Sequence, residues 1–448
     1  MIISYNFYYR HTSLITKTIA VIVVFIFALS ETHAQVMITL DSAISIALKN
    51  NYDIIVSDIF LKKTEQNVKA SAGNFMPQLY IAGAWDKKNQ NLNQNYTNGL
   101  EVNRNNVSSD AVSTSVVLDY TLFDGLQMFA NRSRLIAENA TAKYNLKTQI
   151  ENTVVNVMVA YYEIVRQNAI IAAQKSNLEV TRQRLDITQT KKDVGESSGL
   201  ELMQAKIDYN NQQSELLRQQ MNLENAKAVL NDLLALNSDY NFEAADSIVI
   251  NYKPSFGELR KSVTAQNNSI KSAAYKLKAS EYFLNEMKSG YYPRINFNAG
   301  YDFMRNKNEA GFLLKSDNSG INFGISASWL LFNKLQTRNA IRQAKLDIEL
   351  SDADLQSLKT TIDLRLLRAY NNFNASMKIV ELEQQNVSLA ANASSISLER
   401  FKSGRSSILE LKDAQSVYQT TVTNYINAMY AAKLNEVELM RLNGQLVK

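Results

Sequence analysis

Gly195-Glu196-Ser197-Ser198-Gly199-Leu200-Glu201-Leu202 is echoed 209 residues later as Gly404-Arg405-Ser406-Ser407-Ile408-Leu409-Glu410-Leu411. The same offset relates Leu122-Phe123 to Leu331-Phe332, Ala160-Tyr161 to Ala369-Tyr370, Ala205 to Ala414, Tyr209 to Tyr418 and Leu233 to Leu442. Further upstream the offset becomes 216–217, pairing Pro77 with Pro293 and Asn50-Asn51 with Asn267-Asn268. It changes in one place, the polar stretch after each proline, where one copy carries a longer loop. A spacing held over more than 100 residues reads as one unit written twice, residues 35–253 and 254–448.

Working outward, each copy has the same internal order. A helix of about 35 residues comes first, over 40–73 and 256–289. Ser255 with Glu258 is a candidate capping box for the second of these. Then come the proline, a strand, a loop and a second strand. A very long helix follows, over about 126–192 and 336–402. A glycine turn closes it, and a return helix runs over about 200–235 and 407–442. Pro254 and Gly444 sit where helices start and stop.

The composition supports unbroken helices. The 448 residues hold only 3 Pro, and none lies between Pro77 and Pro254 or after Pro293. Ile150, Val157, Ile164, Ile171, Leu178 and Leu185 recur every seventh residue, as do Leu366, Phe373, Val380 and Val387. A sustained seven-residue repeat implies left-handed supercoiling against neighbours. A 67-residue helix is about 100 Å long, far longer than a compact domain.

The strand segments alternate with period two. Ile295, Phe297, Ala299, Tyr301 and Phe303 oppose Asn296, Asn298, Gly300 and Asp302; Ile321, Phe323, Ile325, Ala327 and Trp329 oppose Asn322, Gly324, Ser326 and Ser328. In the first copy Val112, Val116, Leu118 and Tyr120 face away from Ser113, Ser115 and Asp119, and strand 79–85 carries Leu79, Ile81 and Trp85 on one side. Segments of about 9–11 residues with one apolar face suit tilted membrane strands. The alternative is a soluble sandwich, for which four strands are few. Trp85, Trp329, Tyr80, Tyr120, Tyr291, Tyr292 and Tyr301 are candidates for interfacial aromatic belts. The stretch 86–111, with eight Asn, reads as an exposed loop above the strands. Four strands do not close a barrel in lipid, so the chain shares its barrel with other copies. Two copies supply about 8 strands and three about 12.

The N-terminus reads as an export signal over 1–34, the alternative being an uncleaved anchor helix. Arg10 and Lys17 precede the apolar run Ile19–Leu29, and small residues precede a cut after Ala34. Both histidines, His11 and His33, fall inside that signal, and the chain has no Cys. Chemistry that rests on His or Cys is thereby excluded from the processed chain, including most zinc sites. No phosphate-binding glycine motif is present. The net charge of +5 is spread along the chain, so nucleic acid is not a partner.

The order helix–Pro–strand–strand–Leu-Phe–long helix–Gly turn–helix, written twice, resembles the TolC-like outer-membrane efflux protein family. Leu122-Phe123-Asp124-Gly125 and Leu331-Phe332-Asn333-Lys334 resemble its strand-to-helix junctions. Arg400 to Ala414 (RFKSGRSSILELKDA) resembles its helix-tip motif. The resemblance covers nearly all of the processed chain. It implies an α+β membrane protein. Long antiparallel helical hairpins form a periplasmic α-barrel, and four strands per chain join a shared trimeric β-barrel. It further implies a homotrimeric passive exit duct in the outer membrane, in contact with lipid, and no enzyme. A periplasmic adaptor and an inner-membrane pump of the RND or ABC type would serve efflux or type I secretion. No cofactor and no metal site is implied.

The resemblance also assigns residues. Glu410 and Asp413 match the acidic positions that ring the periplasmic constriction, with Glu201 as the first-copy counterpart. The chain departs from the family pattern in using Glu at the first ring position, in carrying Arg405 one residue before the family's basic tip residue, and in placing Lys412 between the two acids. Three copies would place six carboxylates around a narrow opening, attractive to cations. Read without the family, early-turn acids are ordinary helix-dipole partners. Val194-Gly195 and Ser403-Gly404 are the expected adaptor contacts, or else plain helix-ending turns. Ser113, Ser115, Asp119, Asn296, Asn298, Asp302, Asn322, Ser326 and Ser328 are expected to face the barrel lumen. Residues 236–256 form the link around the tunnel's equator. Two other classes remain: a trimeric tether or adhesin that transports nothing, and a soluble periplasmic enzyme.

Overall fold

The computed structural model describes residues 36–444 and residue 446; the predicted export signal and both histidines lie outside them. The same order of elements runs through both halves of the chain. In the first half come β1 (Val36–Ile38), α1 (Leu40–Asn50), α2 (Tyr52–Ala70), β2 (Gln78–Asn95), β3 (Glu101–Phe123), α3 (Gln127–Asp193) and α4 (Gly199–Leu233). β4 (Phe242–Ala244) lies in the segment that links the halves, and in the second half come α5 (Phe256–Gln266), α6 (Asn268–Lys288), β5 (Arg294–Asn308), β6 (Lys315–Ser328), α7 (Gln336–Lys402) and α8 (Ile408–Leu442). The long helices α3 and α7 have 67 residues each and the return helices 35 each.

The leading helix expected in each half is two helices. Asn51 and Asn267 adopt extended backbone, with ψ of 125° and 121°, and break the run. Each asparagine then caps the next helix: Asn51 Oδ1 accepts from Asp53 N and Ile54 N, and Asn267 Oδ1 from Ile270 N. The other end of each amide reaches the end of a return helix. Asn51 Nδ2 donates to Leu233 O at 3.0 Å and Asn267 Nδ2 to Leu442 O at 3.4 Å. A side chain that both caps one helix and terminates another satisfies orphan groups at two helix ends at once. Ser255 occupies the N-cap position of α5, but its side chain makes no cap bond, so the box with Glu258 does not form.

The four long strands form one antiparallel sheet in the order β2-β3-β5-β6. They run well beyond the expected segments, and most of 86–111 is strand rather than loop. A turn over 96–100 joins β2 to β3, and a register shift between Gln90 and Leu92 accommodates Asn106 at φ 57°. Trp329 lies one residue past the end of β6, and its indole N–H donates to Tyr291 O at 3.1 Å.

The cores lie in the helical half. Tyr161, Val157, Ile164, Leu230, Leu234 and Phe242 are packed around the middle of α3. A second cluster joins Leu259 and Val263 to Leu366, Phe373, Leu439 and Leu442. The equatorial segment 236–256 contributes β4, which pairs in parallel with β1. Tyr161 fixes this belt: its hydroxyl lies 2.9 Å from Ile38 O and 2.6 Å from Asp246 Oδ2. Burial first, and then the Asp246 carboxylate, push the Tyr161 hydroxyl's pKa upward, so it stays a donor.

Candidate conduit face and helix tips

Register decides what each face of the sheet carries. Directly paired residues share a face. Ser113 pairs with Met304, Ser115 with Asp302, Asp119 with Asn298 and Asn296 with Ser326. Asn322 pairs with Gly300 and Ser328 with Arg294. All of the residues expected to line a lumen therefore share one face. They bond to one another there: Asn298 to Asp119, Asn322 to Asp302, Thr121 Oγ1 to Asn296 Oδ1 at 3.1 Å, and Ser326 Oγ to Asn298 Oδ1 at 3.3 Å.

The opposite face carries Leu79, Ile81, Trp85, Val112, Val116, Phe297, Tyr301, Phe303, Ile321, Phe323 and Ile325. On this chain alone Ile81 is 73% and Phe323 79% exposed. On β5 the apolar run from Ile295 to Phe303 is about 27 Å long at ~3.4 Å per residue. That suits an apolar band of about 25 Å on a tilted strand. Above it the same face becomes charged: Lys87 pairs with Asp110, Asp110 with Lys307, and Arg305 Nε lies 2.8 Å from Asp317 Oδ1. β2 and β6 each have one unpaired edge. No described helix is long and apolar enough to cross a membrane.

Each sheet-to-helix junction turns through the left-handed region twice in succession. Gly125 and Leu126 have φ 73° and 67°; Lys334 and Leu335 have φ 56° and 64°. Asp124 Oδ2 accepts from Met128 N at 2.9 Å and Asn333 Nδ2 donates to Thr337 Oγ1 at 2.6 Å, holding the first turn of each long helix. Gly125 is also sterically pinned: a Cβ there would sit 2.6 Å from Ser289 O.

At the far end of the helices, both glycine turns close in the same way. Gly195 N donates to Lys192 O and Glu196 N to Lys191 O; Gly404 N donates to Phe401 O and Arg405 N to Arg400 O. With φ of 85° at Gly195 and 68° at Gly404, this is the paired-bond helix ending that glycine permits. Val194 and Ser403 are the adjoining C-caps, both exposed.

The acids of the tips are deployed unequally. Glu201 closes a capping box: Ser198 N lies 3.1 Å from Glu201 Oε2 and Glu201 N 3.2 Å from Ser198 Oγ. The Ser197 hydroxyl, and then the Ser198 N–H, hold its carboxyl below the ordinary value. Glu410 instead reaches back across its turn to Arg400 NH1 at 3.1 Å. Arg400 NH2 also meets Arg405 O at 3.4 Å, while the Arg405 side chain is exposed. Asp413 is exposed as well. Lys412, between the two acids in sequence, bonds to neither; its Nζ lies 2.8 Å from Asp208 Oδ1 on α4.

This contact belongs to a network the sequence reading missed. Arg184 on α3 donates to Asp208 Oδ2 at 2.9 Å and to Gln415 Oε1 on α8 at 3.1 Å. Its side chain is 4% exposed, and burial lowers its pKa against the opposing pull of Asp208. One level higher, Gln174 Oε1 accepts from Gln212 Nε2 on α4 and from Gln419 Nε2 on α8. The signal was a second seven-residue series, Gln167, Gln174, Thr181 and Thr188, all buried. Between the tips, Lys191 Nζ lies 3.1 Å from Phe401 O and 4.4 Å above the Phe401 ring. The lower ends of the two hairpins are thus joined through polar and charged side chains. Among the described residues, no cluster of acids is placed to hold a metal ion.

Comparison with known proteins agrees with this geometry. The family model described as "Outer membrane efflux protein" matches residues 43–236 and 259–445. The outer membrane protein TolC of Escherichia coli K12 is 22% identical over 379 residues, spanning 79% of this chain and 76% of that protein. The outer membrane efflux protein BepC of Brucella suis is 19% identical over 408 residues, spanning 91% of this chain and 86% of that one. Among solved structures, VceC of Vibrio cholerae superposes with a TM-score of 0.77 at 16% identity, covering 90% of this chain and 96% of VceC. The open state of the Neisseria gonorrhoeae MtrE channel gives 0.74 at 16% identity, covering 91% of this chain and 89% of MtrE. This chain belongs to the outer membrane efflux protein family, whose members are channel proteins of the Gram-negative outer membrane, extending into the periplasm, and not enzymes.

Proposed function

We propose that three copies of this chain form the exit duct of a tripartite efflux or type I secretion assembly. The observation that carries the proposal is the sheet: polar on one face, apolar on the other, and unpaired at both edges. In lipid each unpaired edge leaves backbone groups unsatisfied at several kcal/mol each, as order of magnitude, so the edges must meet another copy. Two copies would give about 8 strands and a lumen that side chains fill; three give about 12 and leave a passage.

In that assembly the apolar face meets lipid. The polar face lines the lumen with Ser113, Ser115, Asp119, Asn296, Asn298, Asp302, Asn322, Ser326 and Ser328. The helices, about 100 Å long, cross the periplasm as a tunnel. Glu410, Asp413, Glu201 and Arg405 surround its entrance. Val194-Gly195 and Ser403-Gly404 meet a periplasmic adaptor, and an inner-membrane pump of the RND or ABC type drives transport. Arg184, Asp208, Lys412 and Gln415 hold the two hairpins together, so opening the entrance requires rearranging them. The mass of the detergent-extracted particle tests the stoichiometry: three chains are expected, and a particle of one or two chains rejects the proposal.

A further inference from the structure

The turn between β5 and β6 folds over the polar face of the sheet. Glu309 N donates to Ser108 O at 3.0 Å, and Glu309 Oε2 accepts from Ser108 N at 2.9 Å. Phe312 N donates to the Tyr96 hydroxyl at 2.9 Å, and that hydroxyl donates to Gln94 Oε1 at 2.7 Å. The Tyr96 and Phe312 rings lie 6.1 Å apart. Burial shows which face is covered. Val107 is 6% exposed, while no other side chain of β2 or β3 is buried. Gln90, Ser109 and Asn308, which share the polar face with Val107, line the hollow beneath Ala310 and Phe312.

What this turn presents is apolar. Phe312 is 86% exposed, and Leu313 and Leu314 are more than half exposed. Three adjacent large apolar side chains open to water need a cover or a role. Lipid is not that cover. The charged rows of Lys87, Asp110, Arg305, Lys307, Lys315 and Asp317 separate the turn from the apolar band, and the turn leans toward the opposite face. β6 leads directly from this turn to one of the two sheet edges that another copy must pair. The same turn in the other copies therefore leans over the same opening.

We propose that Phe312 and Leu313 of the copies in the assembly face one another across the outer mouth as an apolar constriction, a second narrowing at the end opposite the helix tips. The proposal rests on the trimeric conduit described above. Apolar rings of this kind restrict ions by dewetting and favour amphipathic cargo over small hydrophilic solutes. The chain contains no cysteine, so Leu313→Cys introduces a single reactive thiol. Purified Leu313→Cys protein is inserted in a planar bilayer, and a bulky methanethiosulfonate is added on the extracellular side. Conductance is expected to fall roughly two-fold or more, in steps matching the number of copies. Lys87→Cys, on the outer side of the sheet above the apolar band, is expected to be modified without a change in current. Phe312→Cys gives the same readout should Leu313→Cys not assemble. Complete modification, verified by mass, with unchanged current overturns the constriction while leaving the conduit intact. Wild-type protein that is not trimeric, or that conducts no current, overturns the conduit itself.

Discussion

Lys412 Nζ lies 2.8 Å from Asp208 Oδ1, and through it the second return helix is tied by charge to the first. Asp208 is also the only carboxylate bonded to Arg184 among the described residues. The two halves of this link differ in weight. The Arg184–Asp208 pair is 4% and 12% exposed, whereas Lys412 is 44% exposed. Removing one partner of a buried pair costs about 3 kcal/mol or more, and a half-exposed pair about 1 kcal/mol or less. Asp208→Asn is expected to lower the temperature at which the oligomer dissociates and to raise channel conductance severalfold. Lys412→Ala is expected to change both only slightly. Equal effects of the two substitutions would place the strength of the link elsewhere.

The two junctions predict opposite responses to substitution. Gly125 needs its missing side chain twice, for φ 73° and for the approach of Ser289 O. Gly125→Ala is expected to destabilise by about 2 kcal/mol or more, combining left-handed strain with overpacking. At the matching position Lys334 bears φ 56°. Lys334→Gly relieves about 1 kcal/mol of strain but loosens the unfolded chain, leaving it neutral or slightly stabilised. Thermal dissociation of the two variants measures the difference.

Glu151 makes stability depend on pH. Its carboxyl is buried, which raises its pKa above the ordinary 4.5, against the bond from Asn268 and the charges of Arg441, Lys147 and Lys271. The native chain therefore binds this proton more tightly than the unfolded chain. The group's favourable contribution is complete below pH 4.5 and is lost as pH rises through the raised native value. Glu151→Gln keeps an acceptor for Asn268 Nδ2 and does not titrate. Its melting temperature relative to wild type is expected to increase across that window. A constant difference would show that Glu151 does not contribute in this way.

The candidate entrance predicts a cation effect. Glu410 and Asp413 are each at least partly open to solvent, and three copies would place six carboxylates near one axis. Glu410→Ala combined with Asp413→Ala is expected to weaken block by multivalent cations added on the periplasmic side. Block of undiminished strength in a conducting channel would remove these residues from the constriction.

Much of this architecture was legible in the sequence because its signals are long. The heptad series and the absence of proline placed the long helices within one residue of α3 and α7. Period-two alternation placed the polar residues on one face of the sheet. Features that rest on one side chain were not legible. Asn51 and Asn267 break helices that propensity would continue, because each amide finds a carbonyl at the end of a distant return helix. The strands outrun their apolar alternation, so an asparagine-rich hairpin read as a loop. β1 and β4, at three residues each, are too short to show a period. At the tips, the repeat located the glycine turns, but Lys412 pairs with a residue 204 positions away that no local pattern indicates.

The central claim is that copies of this chain enclose a passive water-filled path through the outer membrane. Conductance of the purified, detergent-extracted protein in a planar bilayer tests it most directly. A steady ohmic current from particles of three chains, without any added energy source, is the predicted result. A processed protein that stays soluble without detergent as a monomer, or trimers that insert and pass no current, would contradict it.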